Sequence, residues 1–98
     1  MNFAEKFRED RRLVLLRILA EAPGYSANDS ILYAMIAEFG HVVSRDVIRS
    51  DLAWLAEQEL VRIDEIGTVY VVHITARGQD CASGRAVVPG VKKPGPPR

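Results

Sequence analysis

Five residues in the stretch "SRDVIRSDLAWLAEQ", residues 44–58, are spaced to share one side of a helix: Arg45, Asp46, Arg49, Ser50 and Ala53. Their chemistry is recognition rather than bond-making. Two guanidinium groups suit phosphate oxygens or a guanine edge, and Asp46 suits a cytosine amine. Small side chains at 50 and 53 admit a close backbone approach to a major groove. The plainer alternative is that Arg45 and Arg49 are solvated surface arginines, and near phosphates Asp46 and Glu57 are repelled.

Other reactive residues are few. The histidines are His41 and His73 and the one cysteine is Cys81. At these spacings they form no metal cluster, so no metal is expected. The chain has no nucleotide-binding glycine loop, nucleophile elbow or zinc-protease motif. The carboxylates Asp64 and Glu65 lie at a turn with no sign of an enclosed pocket. An enzyme is not expected, nor is a cofactor. Cys81 reads as a small buried filler.

Length and composition set the frame. A chain of 98 residues is one domain, with 48% apolar and 27% charged residues, ordinary for a globular protein. Its apolar runs, such as "LVLLRILA", are far shorter than the roughly 20 residues of a membrane span. The start, "MNFAEKFREDRR", is charged and has no apolar signal core, so a cytoplasmic protein is expected. Net charge is zero but unevenly spread: +1 over residues 1–22, −2 over 23–40, −3 over 41–66 and +4 over 67–98. The cationic surplus lies at the C-terminal end, away from the stretch that presents Arg45 and Arg49.

The elements that must position these groups follow from period and punctuation. Residues of about 3–21 read as a long helix, with Phe3, Phe7, Val14 and Ile18 near helical spacing and Leu15, Leu16 and Leu19 widening the stripe. Phe3 and Phe7 either cover the domain's own core or meet a second subunit. "APGY" breaks the helix. Ser26 and Asp29 have capping-box spacing for a second helix. "ILYAMIAEF", apolar nearly all round, predicts that this helix is buried, and Gly40 is placed to end it. Ser44 is a good N-cap for the third helix, to about Gln58.

The period then changes to two β-rich runs about Gly67, "VRIDEIGTVYVVHIT", read as a hairpin with Tyr70, Val72 and Ile74 on one face. "ARGQDCASGRA" forms a short last helix. Residues 1–86 make the domain, and 87–98, "VVPGVKKPGPPR", read as an extended or mobile tail with little to pack.

Two features need an explanation from the fold. Asp51 falls inside the apolar arc of the third helix, so it needs a partner, and an arginine such as Arg62 or Arg17 is expected. Trp54 reads as core or seam. The hairpin is acidic at Asp64 and Glu65, with Arg62 its one basic residue, where a phosphate-gripping wing normally carries cations.

Helix, helix, turn, helix, hairpin, helix is the order of a winged helix-turn-helix domain, an α+β and mainly α class. The pattern "SRDVIRSDLAWLAEQELV", followed by a hairpin ending "HITARGQDCASG", resembles bacterial winged-helix regulators of the ArsR, MarR and PadR group over about residues 10–84. More narrowly it resembles the small winged-helix proteins of Mu-like phages and prophages. That resemblance implies phage or prophage origin, a bacterial cytoplasm and a regulatory role. Glu59 stands where such regulators often carry glycine, and the paired cysteines of metal-sensing ArsR proteins are missing.

Two functions are therefore expected. One is a DNA-binding regulator or architectural factor, perhaps best read as a dimer through Phe3, Phe7 and the last helix. It would use Arg45, Asp46, Arg49, Ser50, Ala53 and Arg62, with tail contacts from Lys92, Lys93 and Arg98. The other is a protein-interaction or phage assembly and packaging module, whose partner is a phage or host protein.

Overall fold

Leucines and isoleucines repeated at helical spacing bring three helices onto one side of a small sheet. The computed structural model describes residues 2–95. Helix α1 spans Phe3–Glu21 and is capped by Asn2, whose side chain accepts from the Glu5 amide at 3.3 Å. A single 3-10 turn at Pro23–Tyr25 leads into strand β1, Ser26–Asn28. Helices α2, Asp29–Glu38, and α3, Arg45–Glu57, follow. Strands β2, Val61–Ile66, and β3, Val69–Ile74, form the hairpin, and α4, Ala76–Ser83, follows it. The protein is α+β and mainly helical, with four helices and a three-stranded antiparallel sheet in the order β1-β3-β2. This order is compatible with a winged helix-turn-helix arrangement.

The expected helix boundaries rest on identifiable caps. The Ser44 hydroxyl accepts from the Val47 amide at 3.2 Å and starts α3. Gly40, at φ 91°, turns the chain out of α2 while its amide donates to Ala37. Thr75 starts α4, accepting from the Gly78 amide at 3.0 Å and donating to the Glu59 carbonyl at 2.7 Å.

The core takes Leu13, Leu15, Leu16 and Leu19 from α1, Leu32 and Ile36 from α2, and Ile48, Leu52 and Leu55 from α3. Leu60, Val72 and Ile74 close it from the sheet side. Each such side chain stabilises the fold by roughly 1.5–3 kcal/mol on burial. Cys81 is buried among them, and that burial pushes its thiol pKa up.

Four expectations need correction. Ser26 does not cap α2: it lies in β1, opposite His73, and Asn28 caps instead, accepting from the Ile31 amide at 2.8 Å. Strand β1 satisfies the otherwise unpaired edge of β3, a non-local gain that competes with local capping. Helix α2 is not buried all round, since Ile31 is 47% exposed and Phe39 58%. One helix face suffices to meet α1 and α3, and the remaining apolar residues face outward.

Phe3 and Phe7 do not cover the core: they are 72% and 59% exposed, because the first turns of α1 extend past the helices it packs against. Finally, the stretch from 87 does carry packing residues. Val88 and Val91 are buried, the Lys92 amide donates to the Glu9 carbonyl, and Gly90 lies against Trp54. Two valines suffice to fold this segment back over α1 and α3.

Candidate nucleic-acid interface

Helix α3 turns Ile48, Leu52 and Leu55 inward and leaves Asp46, Ser50, Ala53 and Glu57 exposed. Both ends of that ridge carry a carboxylate, with the two small residues between them. Arg45 and Arg49 flank it on the side of α2 and the hairpin. Arg45 is exposed, donates to the Ser30 hydroxyl at 3.1 Å and lies 5.2 Å from the Tyr33 ring centre.

Arg49 has a structural task that spacing alone did not assign. Its Nε donates to Asp29 at 2.8 Å, a terminal amine donates to the Thr68 carbonyl at the hairpin turn, and its guanidinium stacks 4.2 Å from the Tyr70 ring centre. Asp29 is 1% exposed and also accepts from the Tyr70 amide at 3.1 Å. Burial raises the Asp29 pKa, but the bonds from Arg49 and Tyr70 outweigh it and hold the carboxyl below its ordinary value. Arg49 thereby ties α3, the start of α2 and the hairpin turn into one surface.

The remaining expected contacts are dispersed. Arg62 donates to both oxygens of Asp64 at 2.9 Å, a pair set by same-face spacing along β2, and His73 meets the same carboxylate at 3.0 Å. Lys92 is drawn onto α1, 3.2 Å from Asp10. Lys93 is exposed. Arg98 lies outside the described residues. Asp10 also bonds buried His41 at 2.7 Å; burial raises the Asp10 pKa, but the bonds to His41 and Lys92 prevail and lower it.

Asp51 is buried and ion-paired as its position demands, but with different arginines from those expected. Arg11 Nε donates to one oxygen and Arg12 Nε, at 3.3 Å, to the other. Arg62 is held by Asp64, and Arg17 lines a groove on the α2 side of α1. Arg12 also donates to the Gly90 carbonyl at 3.1 Å and stacks 3.8 Å from the Trp54 ring centre. Trp54 is thus a seam residue. Arg8, Arg11 and Arg12 line a cleft of about 410 Å³ between α1 and α3, together with Val43, Val47, Ser50 and Asp51. Sequence reasoning passed over these three arginines, although spacings of three and four already placed them on one side of α1.

On the opposite side of α1, a groove of about 500 Å³ runs between α1, β1 and α2. Val14, Ile18, Ala27, Ile31, Met35 and Phe39 line it. Among the described residues, no group of three or more His, Cys, Asp or Glu side chains converges to hold a metal ion. No helix there is long and apolar enough to cross a membrane.

No family model matches the chain. It is 53% identical over 88 residues to gp26 of Escherichia phage Mu, an uncharacterized protein, covering 90% of this chain and 91% of gp26. It is 43% identical over 95 residues to an uncharacterized protein of Haemophilus influenzae, covering 91% of this chain and 92% of that protein. These relatives support the expected resemblance to proteins of Mu-like phages.

Proposed function

This chain belongs to the family that includes gp26 of Escherichia phage Mu, and we propose that it is a DNA-binding protein of winged helix-turn-helix type. It acts as a regulator or architectural factor of phage or prophage origin, with α3 in the major groove of double-stranded DNA. The observation that carries this reading is the Arg49 bridge. By joining α3, Asp29 and the Thr68 carbonyl, it makes helix and hairpin one rigid surface on which Ser50 and Ala53 stay exposed. Groove reading needs such preorganisation, because base contacts tolerate little misplacement.

Arg45 is the exposed cation beside that ridge, and Lys93 is a candidate for an outlying phosphate contact. A homodimer through Phe3 and Phe7 would present two α3 helices to two half-sites.

A second reading, a protein-interaction or phage assembly and packaging module, is favoured by the exposed apolar groove between α1 and α2 and by the carboxylates Asp46 and Glu57 on the α3 ridge. Fluorescence anisotropy with a mixed-sequence duplex, repeated up a salt series, separates the two. DNA binding predicts an affinity that falls with salt at a slope equivalent to roughly two to four phosphates per subunit. It also predicts loss of binding in an Arg45→Ala/Ala53→Asp double variant that keeps the wild-type circular dichroism. Absence of binding at the lowest salt would turn the assignment to a protein partner.

A further inference from the structure

The cleft between α1 and α3 holds more positive charge than the fold consumes. Three guanidinium groups, from Arg8, Arg11 and Arg12, face one carboxylate, Asp51. Asp51 engages Arg11 and Arg12 through their Nε atoms. One terminal amine of Arg12 goes to the Gly90 carbonyl. Among the described residues the terminal amines of Arg11 and the whole guanidinium of Arg8 donate to no protein acceptor, while the Arg11 side chain is only 9% exposed.

No polar side-chain atom shut off from solvent is left without a partner, so the free end of Arg11 opens onto the cleft. Burial presses the Arg12 guanidinium below its ordinary pKa, and the positive charges of Arg8 and Arg11 add to that pressure against the pull of Asp51. An electrostatic surplus of this kind, in a partly dry cleft floored by Val43 and Val47, is relieved by an anion.

We propose that this cleft is a phosphate-binding site in which Arg8, Arg11 and Arg12 grip one phosphate group, supplied by the backbone of the DNA that α3 faces. Guanidinium forks match phosphate oxygens in geometry and stay charged at every physiological pH. Asp51 has a defined part: by holding both Nε atoms it orients two forks while neutralising one of the three charges. Ser50 lines the cleft and also belongs to the exposed ridge of α3. A phosphate seated there is therefore one side chain away from the groove-facing surface, where backbone contacts fix a reading helix in register. The source of the phosphate rests on the DNA-binding reading; the anion site does not.

The test uses the full chain, a 20-base-pair duplex and inorganic pyrophosphate as separate probes, with the Nε–H resonances of Arg11 and Arg12 followed by NMR. Arg8 is exposed and unpaired among the described residues, so Arg8→Gln leaves the Asp51 pairs in place; Arg85→Gln serves as a charge control outside the cleft. The expected result is that duplex moves both resonances. Arg8→Gln then lowers the salt slope by about one and weakens binding about tenfold at low salt, and Arg85→Gln does neither.

If the duplex does not bind but pyrophosphate moves the resonances saturably, and less in Arg8→Gln, the site stands with a free phosphate compound as ligand and the DNA reading fails. Resonances unmoved by both probes overturn the site, whether or not the duplex binds. So does duplex binding with the same affinity and salt slope in Arg8→Gln.

Discussion

Asp51 on α3 and Arg11 on α1 form a buried ion pair between residues forty positions apart, with the Arg11 side chain 9% and the Asp51 side chain 4% exposed. Charges so far from water are tolerated because each oxygen of the carboxylate has its own guanidinium partner. The pair fixes how the N-terminal half of α1 lies across α3. It thereby determines the width of the cleft between them.

Removing the carboxylate leaves Arg11 buried without a counter-charge. Asp51→Ala is expected to lower the unfolding free energy by about 3–5 kcal/mol, measured by urea denaturation. A loss below about 1 kcal/mol, the range of an exposed ion pair, would mean that Arg11 swings into solvent and the pair contributes little.

Acid should act through Asp29. Its folded pKa lies below the unfolded value, near 3.9, so its contribution is fully present above that value and is lost as pH falls through the folded pKa. Thermal midpoints should stay nearly level from neutrality down to about pH 5 and fall below about pH 4. Asp29→Asn should lower the midpoint at pH 7 and flatten the acid decline. A decline as steep as in the wild type would assign acid sensitivity to Asp10, whose pKa is lowered in the same direction.

Glu59 holds φ at 63°, in the left-handed region, at the junction between α3 and β2. A side chain costs roughly 1–2 kcal/mol there that glycine avoids. Glu59→Gly should accordingly raise stability by about 1 kcal/mol after the entropy of the freer unfolded chain is set against it. An unchanged or lower denaturation midpoint would show that the Glu59 side chain offsets its own strain.

Gly90 has φ 102°, and a Cβ added there would lie 2.6 Å from the Trp54 ring. Gly90→Ala should lift the segment around Val88 and Val91 off α1 and α3, at a cost of about 1–3 kcal/mol. Trp54 emission should shift to the red, and this segment should become sensitive to protease. Unchanged emission would show that the ring moves aside and the segment stays docked.

The Phe3→Ser/Phe7→Ser variant tests the proposed subunit contact. Both rings are largely exposed, with Phe7 edge-on to His41 at 6.4 Å. Sedimentation velocity should give a dimer for the wild type and a monomer for the variant. The same sedimentation coefficient for both would remove these phenylalanines from any interface.

Local signals were legible where neighbours in the chain settle the structure. The stripe over 3–21, the Ser44 cap, the glycine exit at 40, the turn about Gly67 and the Thr75 start of α4 each depend on residues within a few positions, and all appear at the expected places. The same information placed Asp51 in the apolar arc and so required a partner for it.

The identity of that partner was decided by tertiary structure. Which arginine reaches Asp51 depends on how α1 lies across α3, and helical spacing holds no record of that; Arg11 and Arg12 meet it, while Arg62 is taken by Asp64. Strand β1 is three residues long and exists because β3 offers an edge to pair with. The outward apolar face of α2 is equally non-local, since hydropathy says which residues favour burial but not how much neighbouring surface is available to bury them. Arg49 is the clearest case. Its position on α3 was readable from spacing, but its bond to Asp29 and the hairpin turn exists only once three elements meet around one buried carboxylate.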